Sequence, residues 1–113
     1  MPPIVETTNW MDYPVMKKLV TAGLQIGFRA FDTARDYGNE DVVGQVMKEC
    51  LKEQGLKRED IFITTKIGNS QQALGNIEEQ VDMSLRNLQT DYIDLWLMHW
   101  PYPDHYVDTW HKM

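Results

Sequence analysis

Asp32, Tyr37, Lys66 and His99 are ionisable residues whose types and spacing suit proton chemistry. A phenol titrates at about 10 unaided, too high for easy proton donation at neutral pH. A lysine cation beside it favours the phenolate and so lowers that value. An aspartate paired with the lysine keeps the cation charged and fixed, and a histidine across the pocket can hold a substrate oxygen by hydrogen bond. Together such groups protonate a carbonyl oxygen as it gains electrons. They supply no electrons, so a hydride-carrying cofactor is implied.

These four side chains need a scaffold that brings distant segments to one rim. Ile4 to Asn9 is rich in β-branched residues and predicts a first strand, closed by Trp10. Asp12 caps a first helix with Pro14 in its opening turn. Val15, Met16, Leu19, Val20 and Leu24 form its apolar stripe, and Gly27 ends it. Phe28 to Asp32 predicts a second strand. Asn39 caps a second helix running to about Gln54, with Val42, Val43, Val46, Met47, Cys50 and Leu51 inward. Lys57 to Asp60 reads as a solvated charged loop, and Ile61 to Lys66 as a third strand ending on a lysine.

Gly68 to Gln72 reads as a polar loop. Asn76 and Glu79 resemble a capping box opening a third helix, with Ile77, Val81, Leu85 and Leu88 as its buried seam. Tyr92 to Met98 is a fourth strand, apolar enough to be buried on both faces for most of its length, and it delivers His99-Trp100-Pro101. Asp108 to Met113 begins a fourth helix. Strands alternating with helices through short connections require right-handed crossovers and a parallel sheet. Four strands, three helices and a stub make an α/β chain of about half a (β/α)8 barrel, one partial domain over residues 1–113; a small open four-stranded sheet is the alternative. Asp32, Lys66 and His99 each end a strand and Tyr37 follows one such end, so all four converge on the rim where barrel enzymes do chemistry.

Composition narrows the function classes. A net charge of −6 with scattered basic residues argues against a nucleic-acid surface. The single cysteine, Cys50, excludes an internal disulfide and falls on an apolar helix face. No apolar run reaches membrane-spanning length, and Met1 to Glu6 lacks the layout of a signal peptide, so a reducing cytoplasm is the simplest home. His99, His105 and His111 recur every six residues, unlike zinc ligands, and no metal is expected. Trp100, Tyr102, Tyr106 and Trp110 are either paving for a substrate loop or core awaiting a cover.

Three separated motifs resemble the aldo-keto reductase family in order and spacing. They are Gly27-Phe28-Arg29-Ala30-Phe31-Asp32-Thr33-Ala34 with Tyr37-Gly38-Asn39-Glu40, then Ile63-Thr64-Thr65-Lys66, then Asp91-Tyr92-Ile93-Asp94-Leu95 through His99-Trp100-Pro101. The resemblance runs from about Trp10 to the last residue and implies a catalytic tetrad of Asp32, Tyr37, Lys66 and His99. In that family the tyrosine is the general acid and NADPH delivers hydride to an aldehyde or ketone. Trp10 and Trp100 match positions lining the substrate pocket, and Asp32 one that also approaches the nicotinamide ribose. The family's Gly-x-Gly-Thr before the first-strand aromatic is replaced here by Glu6-Thr7-Thr8-Asn9, which leaves Thr8 and Asn9 as weak candidates for cofactor contact. The family's second barrel half, which grips the nucleotide, has no counterpart in these residues. The expectation is therefore the catalytic N-terminal half of an NADPH-dependent carbonyl reductase, inactive as an isolated chain. It should pair as a homo-oligomer or with a complementary half-barrel. The alternative is a non-catalytic half-barrel serving assembly, or a gene remnant that keeps the motifs.

Overall fold

The computed structural model describes residues 5–113. Strand and helix alternate as β1 (Val5–Thr7), α1 (Tyr13–Ile26), β2 (Ala30–Asp32), α2 (Glu40–Glu53), β3 (Phe62–Ile67), α3 (Asn69–Leu74), α4 (Ile77–Leu88), β4 (Leu95–Met98) and α5 (Tyr106–Lys112). Single 3-10 turns at Arg35–Tyr37 and Arg58–Asp60 lead out of β2 and into β3. Ile4, where the expected first strand begins, lies outside the described residues.

The four strands are parallel and lie in the order β1-β2-β3-β4. An order without reversal, crossed over right-handedly each time, keeps the connecting helices on one face. A doubly wound sheet would reverse its order and carry helices on both faces. The sheet is thus of the barrel kind. Its helix-facing side holds Phe31, Ile61 and Ile63, packed with Met16, Val20 and Leu24 of α1, Val43, Val46, Met47, Cys50 and Leu51 of α2, and Leu88 of α4. The side-chain period of two then sends Asp32, Thr64 and Lys66 to the opposite, inner face. Register pairs Thr7 with Asp32, Asp32 with Thr64 and Lys66 with Leu97, which levels the strand ends.

Local chemistry sets most boundaries. The Asp12 carboxylate accepts from the Val15 N–H at 3.3 Å, and α1 ends at Gly27, whose φ of 104° suits a residue without Cβ. Gly44 allows α2 to cross α4 closely, because a Cβ there would collide with the Asn87 carbonyl and the Leu88 backbone. Gly44→Ala is therefore expected to destabilise the chain by about 1–3 kcal/mol, as overpacking does. An unchanged midpoint in urea unfolding would show that the two helices can simply separate.

Several expectations are corrected. Gly68 to Gln72 is not a loop: α3 begins at Asn69, with the Gln71 amide oxygen accepting from the Gly68 N–H at 3.0 Å. Polar side chains disguised a helix that buries only Gln72. Regular β structure in β4 starts at Leu95, not Tyr92, and β4 is not buried on both faces; Leu97 on the inner face is 38% exposed. Lys57 to Asp60 is not merely a solvated loop. Arg58 donates to the Asp94 carboxylate at 2.7 Å, to the carbonyls of Ile61 and Tyr92, and to the Thr90 hydroxyl, bolting the entries of β3 and β4 together. On α1, Val15 faces solvent. On α4 the seam is Ile77, Gln80, Ser84 and Leu88, with Val81 and Leu85 half-buried; Ser84 donates to the buried Glu40 of α2 at 3.1 Å and Gln80 to Asn76 at 2.9 Å. Asn76 and Glu79 bond to each other at 2.6 Å and leave the backbone uncapped by side chains.

Candidate active site

Asp32 is the last residue of β2, Lys66 stands one residue before the end of β3, and His99 follows β4 directly. Parallel register places them side by side. The Lys66 ammonium lies 2.7 Å from both Asp32 carboxylate oxygens and 3.0 Å from the Thr33 carbonyl. Its next contact is the Tyr37 hydroxyl, at 3.5 Å. Three ammonium hydrogens thus serve the carboxylate, a carbonyl and the phenol. Both ends of the Lys66–Asp32 pair are largely screened from water, with side chains 14% and 25% exposed.

Tyr37 reaches the rim because the 3-10 turn Arg35–Tyr37 closes at Gly38, whose φ of 67° frees the chain to enter α2. The Tyr37 and His99 rings meet edge to face with centroids 5.8 Å apart. Trp10 lies 6.1 Å from Tyr37 on one side, and Trp100 stacks on His99 at 5.7 Å on the other. Six of the expected site residues therefore form one cluster: Asp32, Tyr37, Lys66, His99, Trp10 and Trp100. Its chemical capacity is proton delivery from a phenol that a lysine touches, with an imidazole alongside and aromatic walls for an apolar carbonyl compound.

Thr8 and Asn9 are placed differently. Thr8 is fully buried, and its hydroxyl and N–H both donate to the Asp32 carbonyl, at 3.1 and 3.0 Å. Asn9 is exposed. Asn39, expected as a helix cap, makes no side-chain cap bond; its amide donates to the carbonyls of Thr8 and Met11. Those two bonds bracket Trp10, whose backbone sits at a φ of 58° that a bulky residue rarely adopts.

Sequence reasoning missed other contributors. Gln72 is buried on α3 and donates to the Trp100 carbonyl at 2.9 Å, fixing the loop after His99. Asp36 places a carboxylate oxygen 3.7 Å from His99 Nδ1. Its position immediately before Tyr37 was the available signal. Glu40 binds the Thr65 and Ser84 hydroxyls at 2.7 and 3.1 Å and faces Arg35, yet burial still pushes its carboxyl above the usual range. Among the described residues no group of three or more histidine, cysteine or acidic side chains is arranged to hold a metal ion.

Glu6 fills the slot beside Gly23 of α1, where a Cβ would strike its carboxyl group. One of its carboxylate oxygens is buried without a partner, and burial raises its pKa to about 7. The folded state therefore holds this proton more tightly than the unfolded chain. The contribution of Glu6 is fully present below the unfolded value of about 4.3 and is lost as pH rises through about 7. Glu6→Gln should raise stability at pH 8, because it removes a carboxylate that burial penalises in its charged form, and flatten the pH profile. Parallel melting-temperature profiles for the two proteins between pH 5 and 8 would remove Glu6 from this role.

This geometry has counterparts in known proteins. Residues 6–113 match the model of the aldo/keto reductase family. The chain is 48% identical over 92 residues to methylglyoxal reductase DkgA of Salmonella typhimurium, covering 80% of this chain and 31% of that protein. It is 43% identical over 94 residues to glyoxal reductase of Bacillus subtilis, covering 83% and 33%. The chain thus spans about a third of the length of the curated relatives it matches. Among solved structures, an aldo/keto reductase from Brucella melitensis superimposes with a TM-score of 0.85 at 37% identity, over 98% of this chain and 43% of that one. A Bombyx mori aldo-keto reductase in complex with NADP gives 0.85 at 30% identity, over 97% and 41%. No helix among the described residues is long and apolar enough to cross a membrane. By family model, sequence identity and fold together, this chain belongs to the aldo/keto reductase family.

Proposed function

We propose that these residues carry the proton-transfer half of an NADPH-dependent reduction of an aldehyde or ketone to an alcohol. The observation that carries the reading is Lys66, held at 2.7 Å by Asp32 and at 3.5 Å from the Tyr37 hydroxyl on one strand-end rim. Tyr37 acts as the general acid that gives its proton to the carbonyl oxygen. Lys66 stabilises the phenolate that forms, Asp32 fixes Lys66, and His99 orients the oxygen by hydrogen bond. Trp10 and Trp100 wall the substrate side.

NADPH, when bound, supplies the hydride. The residues present fit only its nicotinamide edge, where the part-exposed Asp32 carboxylate can meet a ribose hydroxyl. They do not fit its phosphates. At the N-terminus of α2 the exposed Asp41 carboxylate would repel them, while Glu40 is turned inward to the Thr65 and Ser84 hydroxyls. Thr8 offers no free hydroxyl, since that group is spent on the Asp32 carbonyl. The nucleotide must be gripped by strands beyond these four. The deciding experiment measures NADPH consumed and alcohol formed by a complete barrel that contains this chain. Equal amounts support the reading, and absence of alcohol defeats it.

Association is the second part of the reading. Leu97 of β4 and Tyr106, Val107 and Trp110 of α5 are exposed, and β4 is an edge strand. Such surface costs roughly 25 cal/mol per Å² in water and invites pairing with another strand edge. The isolated chain should therefore form a homo-oligomer, or bind a complementary half-barrel when one is supplied. Sedimentation of a stable monomer at micromolar concentration, without binding of an apolar dye, would contradict this.

A further inference from the structure

We propose that the helical side of the sheet carries a second site, a groove between α2 and α4 that binds an amphipathic carboxylate of the fatty-acid class. Gly44 lets α2 meet α4 at Asn87 and Leu88, the latter the last residue of α4. α2 continues to Glu53, so its final turns run on past that crossing. They leave a groove of about 990 Å³ between themselves, α4 and the Gln89–Asp91 turn. That volume lies within the span of small-molecule sites. On its other flank α2 is tied to α1, through Lys17 to Glu49 and Glu53. The groove's floor is Met47, Leu51, Ile63 and Leu88, all buried, with Leu56 and Leu85 half-buried at its edges.

The charges around this apolar floor are biased. Lys48 and Lys52 of α2 and Arg86 of α4 line the groove, are exposed, and form no ion pair among the described residues. Arg58 lines it too, but Asp94 holds its charge at 2.7 Å. The acids present are Asp82 and Asp91, so three unpaired cations outnumber two carboxylates on a chain of net charge −6. Lys48 and Lys52 stand one helical turn apart, where like charges repel, and an anion held between them relieves that repulsion. Their aliphatic stems extend the apolar surface toward the charge. An alkyl tail on the floor with a carboxylate at the lysines matches both features, whereas a neutral or cationic head matches only the first.

The groove is remote from the carbonyl chemistry. Arg58 precedes β3 and Asp91 precedes β4, whereas Lys66 and His99 stand at the opposite ends of those strands. The sheet edges are β1 and β4, so further strands would add beyond them and leave the space between α2 and α4 uncovered.

The test titrates the 113-residue chain with dodecanoate, dodecanol and dodecyltrimethylammonium, each below its micelle-forming concentration. Binding is followed through side-chain methyl signals by NMR. Dodecanoate should bind most tightly and shift the Met47, Leu56 and Leu85 methyls, and its advantage should shrink in high salt. Lys48→Gln combined with Lys52→Gln should weaken dodecanoate by about five- to tenfold and leave dodecanol within about twofold. Both lysines are exposed, so the double variant keeps its fold. An unchanged dodecanoate affinity in that variant overturns the proposal, as does equal affinity for the three amphiphiles. Silence of the groove methyls, or a response confined to Leu97 and Val107 on the exposed surface of β4 and α5, overturns it as well.

Discussion

Tyr37→Phe reduces carbonyl turnover by 10²- to 10⁴-fold, the span a positioned proton donor contributes, in any assembly that is active. The substitution removes one oxygen and almost no volume. The ring contacts with Trp10 and His99 do not depend on that oxygen, so they should persist. Lys66 loses only its longest contact, at 3.5 Å, and keeps Asp32 and the Thr33 carbonyl. The fold should thus survive, which circular dichroism can check. Lys66→Met should also cut turnover, because the charge facing the phenol disappears. It should additionally lower stability, since the part-buried Asp32 carboxylate is left without its cation. The two variants therefore separate a purely chemical loss from one that is also structural. Near-full turnover in Tyr37→Phe, measured as NADPH oxidation with an aldehyde in excess, would remove the phenol from its role as acid.

The second large effect concerns the 113 residues by themselves: they should show no aldehyde reduction above background. Proton transfer and electrostatic stabilisation do not replace a hydride held at near-attack distance. Positioning can account for about 7–11 kcal/mol of a barrier, more than the proton donor could offset. The strand ends described here offer the cofactor one carboxylate and no phosphate cradle. A homodimer would only duplicate that surface. NADPH affinity should be correspondingly weak, and titration by cofactor fluorescence provides an independent measure. An NADPH-oxidation assay with aromatic and aliphatic aldehydes makes the direct test. Robust turnover that vanishes in Tyr37→Phe would mean that four strands suffice and that the nucleotide binds where no cradle is evident.

Much of this architecture is legible in the linear chain. Periodicities of two and near three and a half, the stop at Gly27 and the Asp12 cap are local, and local rules predict the strand-helix order. Parallel pairing then follows from right-handed crossovers, and it is why Asp32, Lys66 and His99 share one rim. The residue types likewise specify the chemistry, since a phenol, a lysine and an aspartate combine in few useful ways. Where the chain disagrees with its local pattern, a distant partner is responsible. Asn39 leaves its cap to hold the Thr8 and Met11 carbonyls, which keeps Trp10 in its left-handed turn. Arg58 becomes a structural bolt because Asp94 arrives from more than thirty residues away. The polar run at Asn69 is helical because Gln72 finds the Trp100 carbonyl. Asp36 gains meaning only when His99 and Gly68 close around it. The local code covers what neighbours in sequence can enforce through dihedral preference and burial period. A hydrogen bond or charge contact between residues tens of positions apart exists only once packing has brought both into reach, and in this chain such contacts hold the loops around the site.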